Sequence, residues 1–463
     1  MRYRWLVGLL VTVGIVPVLR ADDPTIIRKI AFGSCVNQDK PVPIFDTIAA
    51  TKPDLFLMIG DNMYADLDRT VKVTPEVIRE KYHILAKVPG FVKIKQVCPR
   101  ILGTWDDHDY GRNDAGAEWQ HKDAAQKEFH DFFGTPENDP RRQQKGIYHA
   151  AIYGPVGQRL QVILLDTRYF RSPLKKGKFD PVTRITPYLP NTDPDATLLG
   201  PEQWKWLEEQ LKKPAEVRLL VSSIQVIADE HPFEKWANFP HEREKLYALL
   251  KRTGANGVVI LSGDRHLADI SVDTRAIGYP LYDITSSGFN QASKNWRPPE
   301  KNSYRVAGMP YGDNFGFITI DWNDDNPRLV LQIRDEDGET ACGVKVRLST
   351  LKNSARGVEP PRPEGVLTPD QAAQKPGETV TVQFLVRSVG GKTTIYLNSH
   401  PDFRAKDNFA VHLTPKAQTG RWEKVAPESF LGKTIRATGK VQMNKYDQPQ
   451  LEVVDEKALV IVE

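Results

Sequence analysis

DLFLMIGDNMYAD, residues 54–66, decides how the rest of the chain is read. Leu55 to Ile59 run without a polar break, the pattern of a strand buried on both faces. Gly60 lets the backbone turn tightly, Asp61 follows at the strand end, and Tyr64 stands three residues further on. An apolar strand that stops at chemically capable side chains belongs to an α/β sheet, where ligands gather beyond the carboxyl ends of the strands.

The same design recurs outward from that stretch. IRKIAFGSC (27–35) ends in Cys35, ILGTWDDHD (101–109) in Asp106, Asp107, His108 and Asp109, and LQVILLDTR (160–168) in Asp166 and Arg168. VRLLVSSIQ (217–225) ends in Gln225, and GVVILSGDRH (257–266) in Asp264 and His266. Six such ends imply one shared site. Between them, PEQWKWLEEQLKK (201–213) puts Trp204, Leu207 and Leu211 on one helical stripe, and HEREKLYALLKR (241–252) does the same with Leu246, Leu249 and Leu250. The fold class is therefore α/β, with helices packed on sheets.

A chain of 463 residues exceeds one ordinary core and implies two or three domains. Lys and Arg number 63 against 59 Asp and Glu, a net charge of +4 with no long basic run, which argues against a dedicated polyanion binder. Residues 1–21 have the layout of a secretory signal peptide: a basic start without an Arg-Arg pair, an apolar stretch from Trp5 to Leu19, and a polar exit after Ala21. The expected location is exported: periplasmic, extracellular or cell-envelope. No membrane span is expected after cleavage, with an uncleaved anchor as the alternative. Cys35, Cys98 and Cys342 are too few for a disulfide framework. Residues 22–351 read as the catalytic domain, 352–378 as a Pro- and Gly-rich linker, and 379–463 as a small all-β barrel of about five strands.

Carboxylates converging without cations raise one another's pKa and destabilise the fold, and multivalent metal ions remove that penalty. Phenol and thiol beside them favour iron(III); all-oxygen positions suit Ca(II), Mg(II) or Mn(II), and Zn(II) remains open. There is no Cys-x-x-Cys or His-Glu-x-x-His pattern of the usual zinc sites.

FGSCVNQ, GDNMYAD, GTWDDHDYGRNDAG, LLDTRYFRS, SSIQV, FPHEREKL and LSGDRH, in that order over roughly residues 27–290, resemble the PhoD-like metallophosphatases. These alkaline phosphatase D or alkaline phosphodiesterase enzymes belong to the calcineurin-like superfamily. The resemblance implies a two-sheet β sandwich flanked by helices, holding Fe(III) and Ca(II). It implies Cys35, Asp61, Tyr64, Asp107, Asp264 and His266 as metal ligands, and His108 as the group facing phosphate or leaving oxygen. Arg168 becomes a phosphate clamp, and Asn62 and Gln225 substrate contacts. The implied reaction is hydrolysis of small phosphate mono- or diesters by a metal-bound hydroxide. The C-terminal segment resembles OB-type barrels attached to secreted nucleases, which suggests single-stranded nucleic acid or another anionic polymer as partner. Tyr396, Phe403, Phe409 and Tyr446 are its available aromatics. His231 and His241 read as loop or helix-start residues, and Arg112 with Asp114 as a loop salt bridge. Rival readings are an inactive exported metal-binding module, a diesterase restricted to nucleic-acid or teichoic-like polymers, and a glycosidase working with paired acids.

Overall fold

The computed structural model describes residues 23–295, 300–324, 326–352, 362–391, 393–400, 403–423, 425–430 and 433–462. The leader read over 1–21 and the first part of the linker lie outside these. The chain divides into two compact units, Met1–Leu351 and Lys352–Glu463.

The first unit carries two sheets. In one, Lys29–Gly33, Leu55–Ile59 and Ile101–Thr104 run parallel, and Asn314–Asp321, Arg328–Asp335 and Thr340–Arg347 extend it antiparallel. In the other, Leu160–Leu164, Val217–Val221, Val258–Ser262 and Leu281–Ser286 are parallel. Its edges are His149–Tyr153 on one side and Ala268–Asp273 followed by Arg305–Met309 on the other, all antiparallel.

The alternation along each central strand explains the sandwich. Leu55, Leu57 and Ile59 cluster with Val162, Leu164, Leu219, Val221, Val259 and Leu261 of the second sheet. Phe56 and Met58, on the opposite face, cluster with Phe45, Ile48, Phe91 and Ile94 from the helices Ile44–Ala50 and Pro89–Val97. Both faces are thus covered, which is why 55–59 contains no polar residue. The helices Gly200–Leu211 and Pro240–Thr253 supply Trp204, Leu207, Leu211, Leu246, Leu249 and Leu250 to the same core as the second sheet. Each of these leucine side chains contributes about 1.5–3 kcal/mol by leaving water. The result is an α/β sandwich flanked by helices. No helix among the described residues is long and apolar enough to cross a membrane, and Cys35, Cys98 and Cys342 are all free thiols.

The second unit is built on one sheet of seven strands rather than about five. Its order is Thr379–Leu385, Thr434–Met443, Pro449–Val453, Ala410–Leu413, Ile395–Asn398 and Ser388–Gly390, with Leu459–Val462 also paired to Thr434–Met443. Phe384, Leu397, Phe409, Val411, Ile435 and Leu451 are in its core. Residues 362–378, which read as linker, are ordered: Leu367 bridges Val382, and Thr368 and Gln371 form a capping box that starts the helix Pro369–Ala373.

Candidate metal centre

The carboxyl ends of the parallel strands in both sheets meet at one place. Ser34, just past Lys29–Gly33, bridges Ser287, just past Leu281–Ser286, and its N–H donates to the Ser286 carbonyl at 3.1 Å. The backbone beyond the strand ends is strained. Cys35 (φ 67°), Asp61 (46°), Asp114 (53°), Asp264 (69°) and His266 (53°) all adopt left-handed conformations. Each costs about 1–3 kcal/mol, and such strain persists where surrounding structure over-determines it. Gly60 has φ 117°, and a Cβ there would lie 2.8 Å from Asp106 Cβ and 3.0 Å from Ser223 Cβ. Gly60→Ala is expected to lose about 2–4 kcal/mol, by overpacking and by backbone strain, read as a lowered denaturant midpoint.

Asp61 is the centre of the arrangement. Three sets of side chains bring one potential ligand atom each to within 4.8 Å of one another: Cys35, Asp61 and His266; Asp61, Asp107 and His108; and Asp61, Asp106, Asp107 and Asp264. Asp61 belongs to every set. The Tyr64 hydroxyl joins the first, 3.3 Å from Asp61 Oδ2 and 3.0 Å from His266 Nε2. Cys35 Sγ lies 3.4 Å from Asp61 Oδ2 and 3.1 Å from Ser287 Oγ. The thiol, the phenol and the His266 imidazole thus gather at Asp61, which also belongs to an all-carboxylate set.

The donor chemistry fits cations. Asp106 Oδ1 accepts from Arg168 Nε (2.6 Å) and Ser223 Oγ (2.8 Å), while its Oδ2 is buried without a partner. Asp107 Oδ2 accepts from the Asp114 N–H at 2.6 Å, while its Oδ1 is likewise unpartnered. Asn62 spends its amide N–H bonds on Asp109 Oδ2 (2.6 Å) and the Thr104 carbonyl (2.7 Å), and its Oδ1 is unpartnered. Each side chain is pinned by one end and presents a bare acceptor with the other. An unmet buried acceptor costs about 1–3 kcal/mol, and a metal ion satisfies several at once.

Electrostatics agree. Burial pushes the carboxyls of Asp61, Asp106 and Asp264, the Cys35 thiol and the Tyr64 phenol above their ordinary values, with neighbouring negative groups adding to it. Burial acts the same way on Asp107, but His108 and Arg168 override it and hold that carboxyl low. Burial alone would lower the His108 imidazole; Asp107, Asp61 and Asp66 instead raise it to about 11.

Of the residues singled out in the sequence, Cys35, Asp61, Tyr64, Asp107, His108, Asp264 and His266 come together here. Three do not stand where they were expected. Arg168 is completely buried, with its guanidinium taken by Asp106 and by Glu234 (2.7 Å), so it supports Asp106 instead of opening onto substrate. Gln225 turns into the second sheet, donating to Thr285 Oγ1 at 2.8 Å and Asp269 Oδ1 at 3.3 Å. Asn62 is buried beside Asp109, with only its Oδ1 uncommitted. Asp166 clamps its own loop through Trp105 Nε1 and the N–H groups of Ile147, Arg168 and Tyr169. The Arg112–Asp114 salt bridge is replaced: Arg112 pairs with Glu118 at 2.9 Å, and Asp114 accepts the Tyr188 hydroxyl at 2.6 Å. His241 bonds the Ala196 carbonyl, and His231 is buried outside the ligand sets. Sequence reading left Asp106 without a role and missed Asp66, whose Oδ1 is 2.5 Å from His108 Nδ1. Asp66 was visible in GDNMYAD, but nothing local announces a partner 42 residues away.

A cleft of about 380 Å³ opens onto this centre, lined by Asp107, His108, Asp264 and His266 within and by Tyr188, Phe233, Arg265 and Glu300 further out. Residues 30–274, just over half of the chain, match the PhoD-like phosphatase family. The chain belongs to that family. Every residue of the three ligand sets lies within the matched segment. The chain is 25% identical over 273 residues to alkaline phosphatase D of Bacillus subtilis (strain 168). That alignment covers 51% of the chain and 45% of the relative, so the chain spans less than half of the curated relative's length. Among solved structures, the chain shares its fold with a structure of PhoD: TM-score 0.53, 17% identity, 71% of this chain and 70% of that one.

Proposed function

We propose that this chain hydrolyses phosphate esters at the Asp61 centre. The observation that carries the reading is that Asp61 belongs to all three ligand sets, so one carboxylate can bridge neighbouring cations. Cys35, Asp61, Tyr64 and His266 suit iron(III), and Asp61, Asp106, Asp107 and Asp264 suit Ca(II), with Mn(II), Mg(II) or Zn(II) as alternatives. When bound, such ions supply Lewis acidity toward the phosphoryl oxygens and activate a water near neutral pH. Asp106 and Asp107 hold their ligand oxygens through the anchors described above. His108 faces the cleft with Nδ1 committed to Asp66. Nε2 is then the nitrogen that donates toward the leaving oxygen.

Elemental analysis beside assays with p-nitrophenyl phosphate and bis-p-nitrophenyl phosphate tests the reading and distinguishes monoesterase from diesterase. Stoichiometric metal with turnover of neither ester would favour an inactive binding module instead. Asp66→Asn is expected to lower kcat by about 10–100-fold with little change in KM, because it frees the imbedded edge of His108 without touching any of the carboxylate, thiol or phenol groups of the centre. Steady-state kinetics at constant metal content check this.

A polymer partner for the second unit has one specific observation behind it. Phe403 and Tyr446 are exposed, with Arg404 and Lys445 over their rings at 5.1 and 4.9 Å. Gln448 donates to the Phe403 and Ala405 carbonyls, which brings the two segments together. Aromatic and basic groups so placed can stack bases and meet phosphates. Salt-dependent binding of single-stranded oligonucleotide by the full chain, lost in a Phe403→Ala, Tyr446→Ala double variant, is the result expected. Export of the chain remains part of the same proposal, resting on the layout of residues 1–21.

A further inference from the structure

We propose that Arg265, held in place by Glu300, takes the terminal oxygens of a phosphate monoester and so makes the site discriminate against diesters. The inference rests on the hydrolytic reading above and specifies its substrate class. A phosphate group entering this cleft meets the side chains of Asp107, Asp114, Glu234, Asp264 and Glu300. Arg265 is the sole Lys or Arg among the described residues lining it. The guanidinium that sequence reasoning assigned to phosphate, that of Arg168, is fully buried and spent on Asp106 and Glu234.

Arg265 is built to stay put. Its Nη2 and Nε donate to Glu300 at 2.6 and 3.3 Å, its Nη1 lies 3.5 Å from Asp264 Oδ2, and its guanidinium sits 4.0 Å from the centroid of the Phe233 ring. Only 8% of the residue is exposed. A guanidinium carries five N–H bonds, and these contacts use three. The two left over belong to the terminal nitrogens, the ones that meet phosphate oxygens in a forked contact. Arg265 also directly precedes His266 and follows Asp264, so a phosphate held at the metal ligands is within its neighbourhood. A monoester brings two negative charges and free terminal oxygens. A diester brings one charge and replaces a terminal oxygen with a bulky ester group. A fixed cation at this place therefore favours the first.

The test uses the metal-loaded full chain and compares wild type with Arg265→Gln, Arg265→Lys and Glu300→Gln. Arg265→Gln is expected to lower kcat/KM for p-nitrophenyl phosphate by about 30–100-fold, the loss of a charge-assisted forked contact, and for the bis ester by less than about fivefold. Inorganic phosphate, titrated calorimetrically, is expected to bind more weakly by a similar factor, with metal content unchanged. Arg265→Lys and Glu300→Gln are expected to give smaller shifts in the same direction, and they carry the test if Arg265→Gln does not fold. Equal losses on both esters, or unchanged phosphate affinity, or loss of metal as the whole effect, would overturn the proposal. Wild-type protein that binds phosphate through Arg265 but turns over neither ester keeps the subsite and overturns the hydrolytic reading alone.

Discussion

Asp61→Asn is expected to lower turnover of p-nitrophenyl phosphate by at least about 10³–10⁴-fold, since the proposed centre would lose the carboxylate shared by all its ligand sets and with it several kcal/mol of transition-state stabilisation. Asn matches Asp in size, and the change removes a buried charge, so the fold is expected to survive it or gain from it. The effect thus separates chemistry from stability. Asp61 is the one side chain shared by the thiol–phenol–imidazole group and the carboxylate group. An amide can lend one neutral oxygen to one cation and cannot bridge two. Metal stoichiometry of the variant is therefore expected to drop along with its rate. An Asp61→Asn protein with full metal content and near-normal turnover would remove the basis of the proposed function.

The second large effect is a pH-dependent stabilisation by metal. Between pH 7 and pH 9 the difference in melting temperature between metal-loaded and chelator-stripped protein is expected to widen. The sign follows from the raised groups. The folded-state value of His108 is about 11, above the ordinary 6.5, so its contribution is complete below pH 6.5 and drains away as pH climbs toward 11. Burial also raises the carboxyls of Asp61 and Asp106, which puts their contribution in the same direction. Two pH units on the His108 imidazole are worth about 3 kcal/mol, or on the order of 5–10 °C in a domain of this size. Cations bind the deprotonated ligands and oppose the loss. Lys235, lowered by burial to about 8, works in the opposite direction, but it is not one of the ligand-set residues and is common to both preparations. Paired thermal melts across that range decide it; a constant or shrinking difference would contradict the assignment.

How much of this was visible in the sequence depended on what each residue has to touch. Strands covered on both faces must be almost wholly apolar, so 55–59, 160–164, 217–221 and 258–262 stood out. The antiparallel strands after residue 300 did not. Arg328–Asp335 alternates buried and half-buried positions and places Arg and Gln among them, a pattern a loop can share. Within the site, residues directly following a strand could be found from position alone. Their duties could not, because direction matters more than place. Asp61 and Asp166 both follow parallel strands, yet one enters the centre and the other is captured by four N–H donors of its own surroundings. Asp66 and Glu300 act on residues 42 and 35 positions away, distances at which a single chain offers no pattern. The helix Pro369–Ala373 was announced by Thr368 and Gln371, but the Pro- and Gly-rich texture around it outweighed that signal.

The two sheets contribute unequal shares to the ligand sets: Cys35, Asp61, Asp106, Asp107 and His108 follow strands of one, Asp264 and His266 follow a strand of the other. Ions seated there would act as a coordination crosslink between the halves of the sandwich. In a chain whose three thiols are all unpaired, that crosslink would do the work a disulfide does elsewhere. Prying the layers apart would then require ligand release first, so the rate of unfolding, more than its equilibrium, would report whether the protein is loaded.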